Sequence, residues 1–275
     1  MRPTNDRCII ASNSTRRKRT SVFLPRWNSC RVATLKPRLA SLVLLLAVAA
    51  LATVSFKVSP IGAEEQVKAK VPAWKSLFDG KTLTNWKSSQ FGGEGKVEVE
   101  KGVIILNQGS DMTGVTWTGG ALPTMNYEVS LMAQRIEGND FFCGLTFEIN
   151  DDPCSLIIGG WGGGVVGISS LNGLDAANNE TACYESFERG QWYRIRLRVS
   201  EVGLMAWIGD KQVVSVATQG KKISIRGEVE PSRPFGISSY ATMAGLKEIQ
   251  IRELTPDEAK APLTRTDHGL KPKSK

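Results

Sequence analysis

The chain has 275 residues, 35 Lys and Arg against 27 Asp and Glu, and a formal net charge of +8. That balance on its own suggests a nucleic-acid or anionic-surface binder, but residues 1–38 hold ten basic side chains and one acid, while from Glu64 onward 24 basic residues face 26 acidic ones. The basicity therefore belongs to a leader, and the one histidine, His268, lies in the polar tail, which leaves the domain none for a Ser-His-Asp triad or a His-ligated zinc site.

Leu39–Phe56 reads LASLVLLLAVAALATVSF, uncharged and preceded by the basic segment. Lys57, a Pro60-containing spacer and Ile61-Gly62-Ala63 follow, ahead of Glu64-Glu65. A basic n-region, an apolar h-region and a small-residue site define a secretory signal, with cleavage expected after Ala63. The competing reading is an uncleaved anchor, because eighteen apolar residues sit at the lower edge of what crosses a bilayer. Either way the positive N-terminal flank leaves residues 57–275 outside the cytoplasm, whether periplasmic, extracellular or anchored to the outer side of the membrane. Any membrane contact is expected only through residues 39–56. Residues 64–73 read as a linker, 74–254 as one domain, and 255–275, rich in Lys, Pro and Thr, as a disordered tail.

The domain reads as strands. Val97–Glu100 and Val103–Leu106 flank a Lys101-Gly102 turn, and Tyr127, Val129, Leu131 and Ala133 alternate with Glu128, Ser130, Met132 and Gln134. Phe141–Ile149 and Cys154–Ile158 flank a turn at Asn150–Pro153. From Trp192 to Ala217 a meander alternates Tyr193, Ile195, Leu197 and Val199 with Arg194, Arg196 and Arg198. A last strand, Gly245–Leu254, buries Ile249 and Ile251 and exposes Glu248, Gln250 and Arg252. Period-two alternation with frequent turn signals predicts an all-β fold, an antiparallel β-sandwich.

Cys143, Cys154 and Cys183 remain after the leader's Cys8 and Cys30. A four-residue turn puts Cys154 opposite Glu148 or Ile149, so Cys143 lies about 17–20 Å along the strand, out of disulfide range. Cys183 is left open to pair with either, with a buried free thiol as the default.

The run Gly159-Gly160-Trp161-Gly162-Gly163-Gly164 lacks the Gly-Lys-Ser/Thr ending of a phosphate loop. Glycines in a sheet mark bulges or places where something approaches the backbone closely. Trp161 is either an aromatic platform for a sugar ring or an inward cap on the sandwich. Among the acids, Asp151 and Asp152 read as turn formers beside Pro153, whereas Glu148 alternates onto the face opposite Phe147 and Ile149. Asp175 and Glu180 sit in a long oxygen-rich loop, Ser170–Glu188, which contains the sequon Asn179-Glu180-Thr181.

Trp74-Lys75-Ser76-Leu77-Phe78-Asp79-Gly80-Lys81-Thr82-Leu83-Thr84-Asn85-Trp86 resembles the opening of the 3-keto-disaccharide hydrolase domain family. Trp192-Tyr193-Arg194-Ile195 and Ile249-Gln250-Ile251-Arg252-Glu253-Leu254 look alike too, so the resemblance spans about 74–254. It implies a concanavalin A-like jelly roll and cleavage of glycosides already oxidised at C3. A ketone at C3 acidifies the C2 proton, so one base, with a positive group or a divalent cation at the enolate oxygen, suffices for elimination. The residues expected to carry this are Glu148 as base, Arg135 as electrostatic partner, Asp140 as an accessory group, and Trp161, Asp175 and Glu180 toward the substrate. Where members of the family show a Tyr-Glu-x-Gln strand, this chain reads Cys154-Ser155-Leu156-Ile157, without the acid or the Gln. Two readings stay open: an enzyme with relocated catalytic groups, or a non-catalytic carbohydrate-binding or cell-surface adhesion module. The expected partner is a carbohydrate and not nucleic acid.

Overall fold

The computed structural model describes residues 71–264. The leader, the apolar stretch 39–56 and the end of the tail lie outside the described residues. Among the described residues no helix is long and apolar enough to cross a membrane.

Fifteen strands follow in chain order: β1 (Lys75–Ser76), β2 (Trp86–Ser88), β3 (Val97–Glu100), β4 (Val103–Leu106), β5 (Met112–Trp117), β6 (Tyr127–Gly138), β7 (Cys143–Ile149), β8 (Asp152–Gly160), β9 (Val165–Ser169), β10 (Cys183–Tyr184), β11 (Tyr193–Ser200), β12 (Gly203–Ile208), β13 (Lys211–Val216), β14 (Gly236–Tyr240) and β15 (Thr242–Glu253). They form two antiparallel sheets. The first runs β13-β12-β11-β6-β15-β4-β3, with β1 on β15, and the second runs β10-β9-β8-β7-β14-β5-β2. This is the concanavalin A-like jelly-roll sandwich that the alternation and the resemblance lead one to expect.

The inner faces follow from the ladder. Leu145, Leu156, Ile168 and Ile237 share one row of the second sheet. With Leu131, Ile195, Leu197, Leu204 and Leu246 of the first sheet they belong to one continuous buried core. Trp86 closes one end, its indole N–H donating to Leu77 O at 2.8 Å and its ring standing edge-on to Trp117 at 5.3 Å.

The β7–β8 hairpin is tighter than the Asp-Pro signal suggests. Asn150 takes the left-handed region at φ 55, which shortens the turn and pairs Ile149 with Asp152 and Phe147 with Cys154. Cys143 then stands opposite Ile158, four residues from Cys154, still too far for a bridge. All three cysteines are buried free thiols, and burial pushes Cys143 and Cys154 up to about 12 and Cys183 to about 11.

The outer face of the first sheet is not the wet, exposed surface its charges suggest. Glu128 is 1% exposed and accepts from Arg196 at 3.2 Å, Arg198 at 2.8 Å and Arg252 at 3.0 Å. Arg196 and Arg198 stack on Trp207, and Arg252 on Trp74. Arg252, expected to be exposed, does face outward beside Glu128, but it is buried because Trp74 and Glu258 cover it. The start of the tail, residues 255–260, is also structured where disorder is expected. A short helix, α1 (Pro256–Lys260), starts on a capping box between Thr255 and Glu258, and the Glu258 carboxylate reaches Arg252 at 2.7 Å. The Arg252 hydrogen bond and charge, outweighing burial, hold the Glu258 carboxyl down at about 2.

A depressed carboxyl stabilises the fold above its unfolded value and loses that stability as pH falls toward its folded one. Glu258→Gln should therefore lower Tm by about 2–4 °C near neutral pH, with the gap to wild type closing between about pH 4.5 and pH 2. Scanning calorimetry across that range checks it, and a gap that persists at pH 2 contradicts it. Glu128→Gln leaves three guanidinium groups, one buried and two partly buried, short of a counter-charge and should cost about 3 kcal/mol in denaturant unfolding.

Candidate functional site

Above the second sheet, the segment after β13 doubles back as a strap. Ser170 N donates to Ser224 O at 2.7 Å and Asn172 N to Lys222 O at 2.8 Å, which ties the strap beside β9. A 3-10 turn at Gly227–Ser232 then crosses the sheet, and Thr116 Oγ1 donates to Pro231 O at 2.8 Å. Beneath it lies a row of small groups: Gly236, Thr146, Ser155 and Ser169 are neighbours across β14, β7, β8 and β9. Gly236 is required there, since a Cβ would meet Ser232 O at 2.5 Å.

Between strap and sheet opens a cavity of about 280 Å³. Its floor is Ser155, Ile157 and Ser169, and Met112 and Tyr240 close one side. Asp140, Phe141 and Trp161 form a second wall, and Arg226, Glu228 and Val229 of the strap form the third. The volume suits one sugar ring, near the lower edge of the roughly 300–1,000 Å³ of small-molecule pockets. Trp161 does not cap the core: it sits at the tip of the β8–β9 hairpin with φ 49 and is 44% exposed.

Arg135 comes from β6 of the opposite sheet and shapes this hairpin from behind. Its Nη2 donates to the carbonyls of Asp140 (3.1 Å), Gly159 (3.1 Å) and Gly163 (2.9 Å), and the guanidinium lies over Phe142 at 5.2 Å. A Cβ at Gly159 would fall 2.6 Å from Nη2, so the glycines make room for the guanidinium. Burial lowers the Arg135 pKa from its ordinary value, with Asp140 acting in the other direction. Arg135 thus organises the backbone around the cavity but does not line it, contrary to the role expected from sequence.

Asp140 lines the cavity. Its carboxylate accepts from Phe141 N at 2.7 Å and Gly162 N at 3.1 Å, which fixes it beside Trp161. Glu148 is not brought to this site. It shares the outer face of β7 but sits beyond the strap, pairing with Arg233 at 3.4 Å and lining a separate cavity of about 380 Å³ with Trp117, Pro234 and Phe235. Alternation chose the right face, but the strap's path divides that face in two. Asp175 caps its own loop through Ala177 N and the Asn178 amide, with Arg226 3.8 Å away. Glu180 pairs with Lys221, outside the cavity. The sequon's Asn179 amide donates to the carbonyls of Ile168, Leu174 and Asp175, so it is committed to loop closure.

Arg226 and Glu228 are the charged cavity residues that sequence reasoning missed. They pair with each other on the strap, in a segment without periodicity, and only the nearby Pro231 and Pro234 mark it as a structured turn. Burial pushes the Glu228 carboxyl up, but its own backbone N–H and Arg226 outweigh that and hold it below the ordinary carboxylate value. Among the described residues no three His, Cys, Asp or Glu side chains converge as a metal site.

A profile of the 3-keto-alpha-glucoside-1,2-lyase-like domain matches residues 73–254. The chain belongs to that family, and with it to the carbohydrate-active domains. No curated protein sequence matches it. Solved structures resemble it at low identity. Domain 4 of AbnA, an extracellular arabinanase from Geobacillus stearothermophilus solved with arabinotriose, is 14% identical over 69% of this chain and 98% of its own, with a TM-score of 0.43. A family GH16 endo-β-1,3(4)-glucanase, SCLam, is 10% identical over 68% of this chain and 94% of its own, with a TM-score of 0.44. Carbohydrate-binding module CBM66 from Bacillus subtilis is 11% identical over 62% of this chain and 96% of its own, with a TM-score of 0.38.

Replacing Arg135 by Met should destabilise the fold by about 3 kcal/mol, because three carbonyls lose a charged donor inside the protein. Amide exchange over Gly159–Gly164 should quicken beyond what the global loss accounts for. Unchanged exchange there would show that the hairpin holds its shape without the guanidinium.

Proposed function

We propose that the protein is an exported hydrolase of 3-keto-glycosides, acting by elimination and hydration in the cavity beside Trp161. The observation that carries this reading is the meeting of an aromatic face, a fixed carboxylate and a guanidinium in one ring-sized space, namely Trp161, Asp140 and Arg226. The pyranose C–H face lies on the indole. Asp140 takes the C2 proton, which the C3 ketone has made acidic, and the enolate charge on the C3 oxygen faces Arg226. The C1–O bond to the leaving group then breaks, and the departing oxygen takes a proton from water. The hydroxide left from that water adds to C1 of the C1–C2 double bond and Asp140 returns its proton to C2, giving the free 3-keto sugar. Export follows from the basic and apolar leader, through a cleaved signal or an anchor. The alternative is a carbohydrate-binding or adhesion module. It draws on one observation: Ser155 and Ile157 line the cavity in the segment where relatives show an acid and a Gln.

Incubating the protein with a 3-keto-glucoside, with and without a divalent cation, separates the two. Asp140→Asn should reduce sugar release by at least about 100-fold while the protein stays folded. Trp161→Ala should weaken substrate binding about tenfold. Full release by Asp140→Asn removes the base from the mechanism. Sugar binding without release by the wild-type protein selects the module.

A further inference from the structure

Ser169 stands on the cavity floor, 2% exposed, and its hydroxyl has no hydrogen-bond partner. Its surroundings are otherwise satisfied. Ser155 faces it across the ladder, and the Ser155 hydroxyl pairs with Thr146 at 3.2 Å. The backbone N–H that follows it, on Ser170, is bonded to the strap. Of the six residues with a buried unpartnered side-chain atom among the described residues, Ser169 is the one that lines either of the two cavities. A hydroxyl sealed from solvent and unpaired destabilises the folded state, and a ligand oxygen in the cavity would remove that cost.

We propose that Ser169 Oγ is a recognition group that hydrogen-bonds a ring hydroxyl of the sugar lying on Trp161. This rests on the sugar-binding reading of the cavity and goes beyond it by naming the residue that reads the hydroxyl pattern. A neutral hydroxyl both donates and accepts, as does a ring hydroxyl, so the pair is satisfied in either sense. Arg226 and Glu228 line the same cavity as an ion pair, so its charges are already matched, which favours an uncharged sugar edge over a phosphate or carboxylate.

Titration calorimetry with methyl α-glucoside and its 2-, 4- and 6-deoxy analogues tests the assignment on wild type, Ser169→Ala and Ser239→Ala. Ser239 also carries a buried unpaired hydroxyl, but it lies outside both cavities. Each variant should keep or raise Tm, since each deletes an unpartnered group. Ser169→Ala should raise Kd for the glucoside about tenfold, the share of one neutral hydrogen bond, and Ser239→Ala should leave it unchanged. One deoxy analogue should bind wild type about tenfold more weakly than the parent sugar, yet bind Ser169→Ala as well as the parent does. Equal affinity of wild type and Ser169→Ala overturns the assignment. A drop in Tm with Ser169→Ala also overturns it, because the hydroxyl would then be serving the fold. If wild type binds the glucoside but releases nothing from its 3-keto form, the hydrolase reading fails alone and Kd still decides Ser169. If wild type binds neither sugar, both fail.

Discussion

One guanidinium holds together the parts that make the cavity. Arg135 enters from the first sheet and binds three carbonyls of the second, one on the loop that carries Asp140 and two on the hairpin that carries Trp161. The carboxylate and the indole are therefore set by the same group and cannot drift independently. A buried cation is costly unless bonded, and here backbone carbonyls at Nη1 and Nη2 offset the cost with no paired carboxylate side chain, while Nε is left without a partner. The Asp140 carboxylate remains free to face the cavity. The glycines on either side of Trp161 serve this arrangement, because a side chain at Gly159 would occupy the place of the guanidinium.

The opposite face of the sandwich uses charge differently. Glu128 gathers arginines from β11 and β15, and Trp74, Trp207 and α1 cover them. The network ties the first strand region, the last strand and the helix after it to the middle of the first sheet. It is structural, and the cavity beside Trp161 lies on the other sheet.

Much of the fold was legible in the sequence. β11 alternates cleanly, because one face meets the core and the other meets water or long charged side chains, whereas β12 and β13 were legible from the turns that bound them. β5 and β9 carry no such signal. All of their residues are buried, since the strap and neighbouring loops cover the outer face of the second sheet as well. For the same reason a row of Ser, Thr and Gly could sit at the site without looking like one. Trp161 and Asp140 were legible from local composition and position. Arg226 and Glu228 were not, because nothing in the sequence tells where a strap will cross. Glu148 illustrates the same limit: period two assigns a face, whereas position along that face depends on contacts with residues some eighty-five places away.

The three thiols carry a last consequence. Cys143, Cys154 and Cys183 are enclosed in the core, unpaired, with pKa values of about 11 to 12. Almost no thiolate exists at neutral pH to attack a disulfide or to be oxidised. Once folded, the described domain holds its thiols away from exchange, so its folded-state stability does not depend on the redox poise around it.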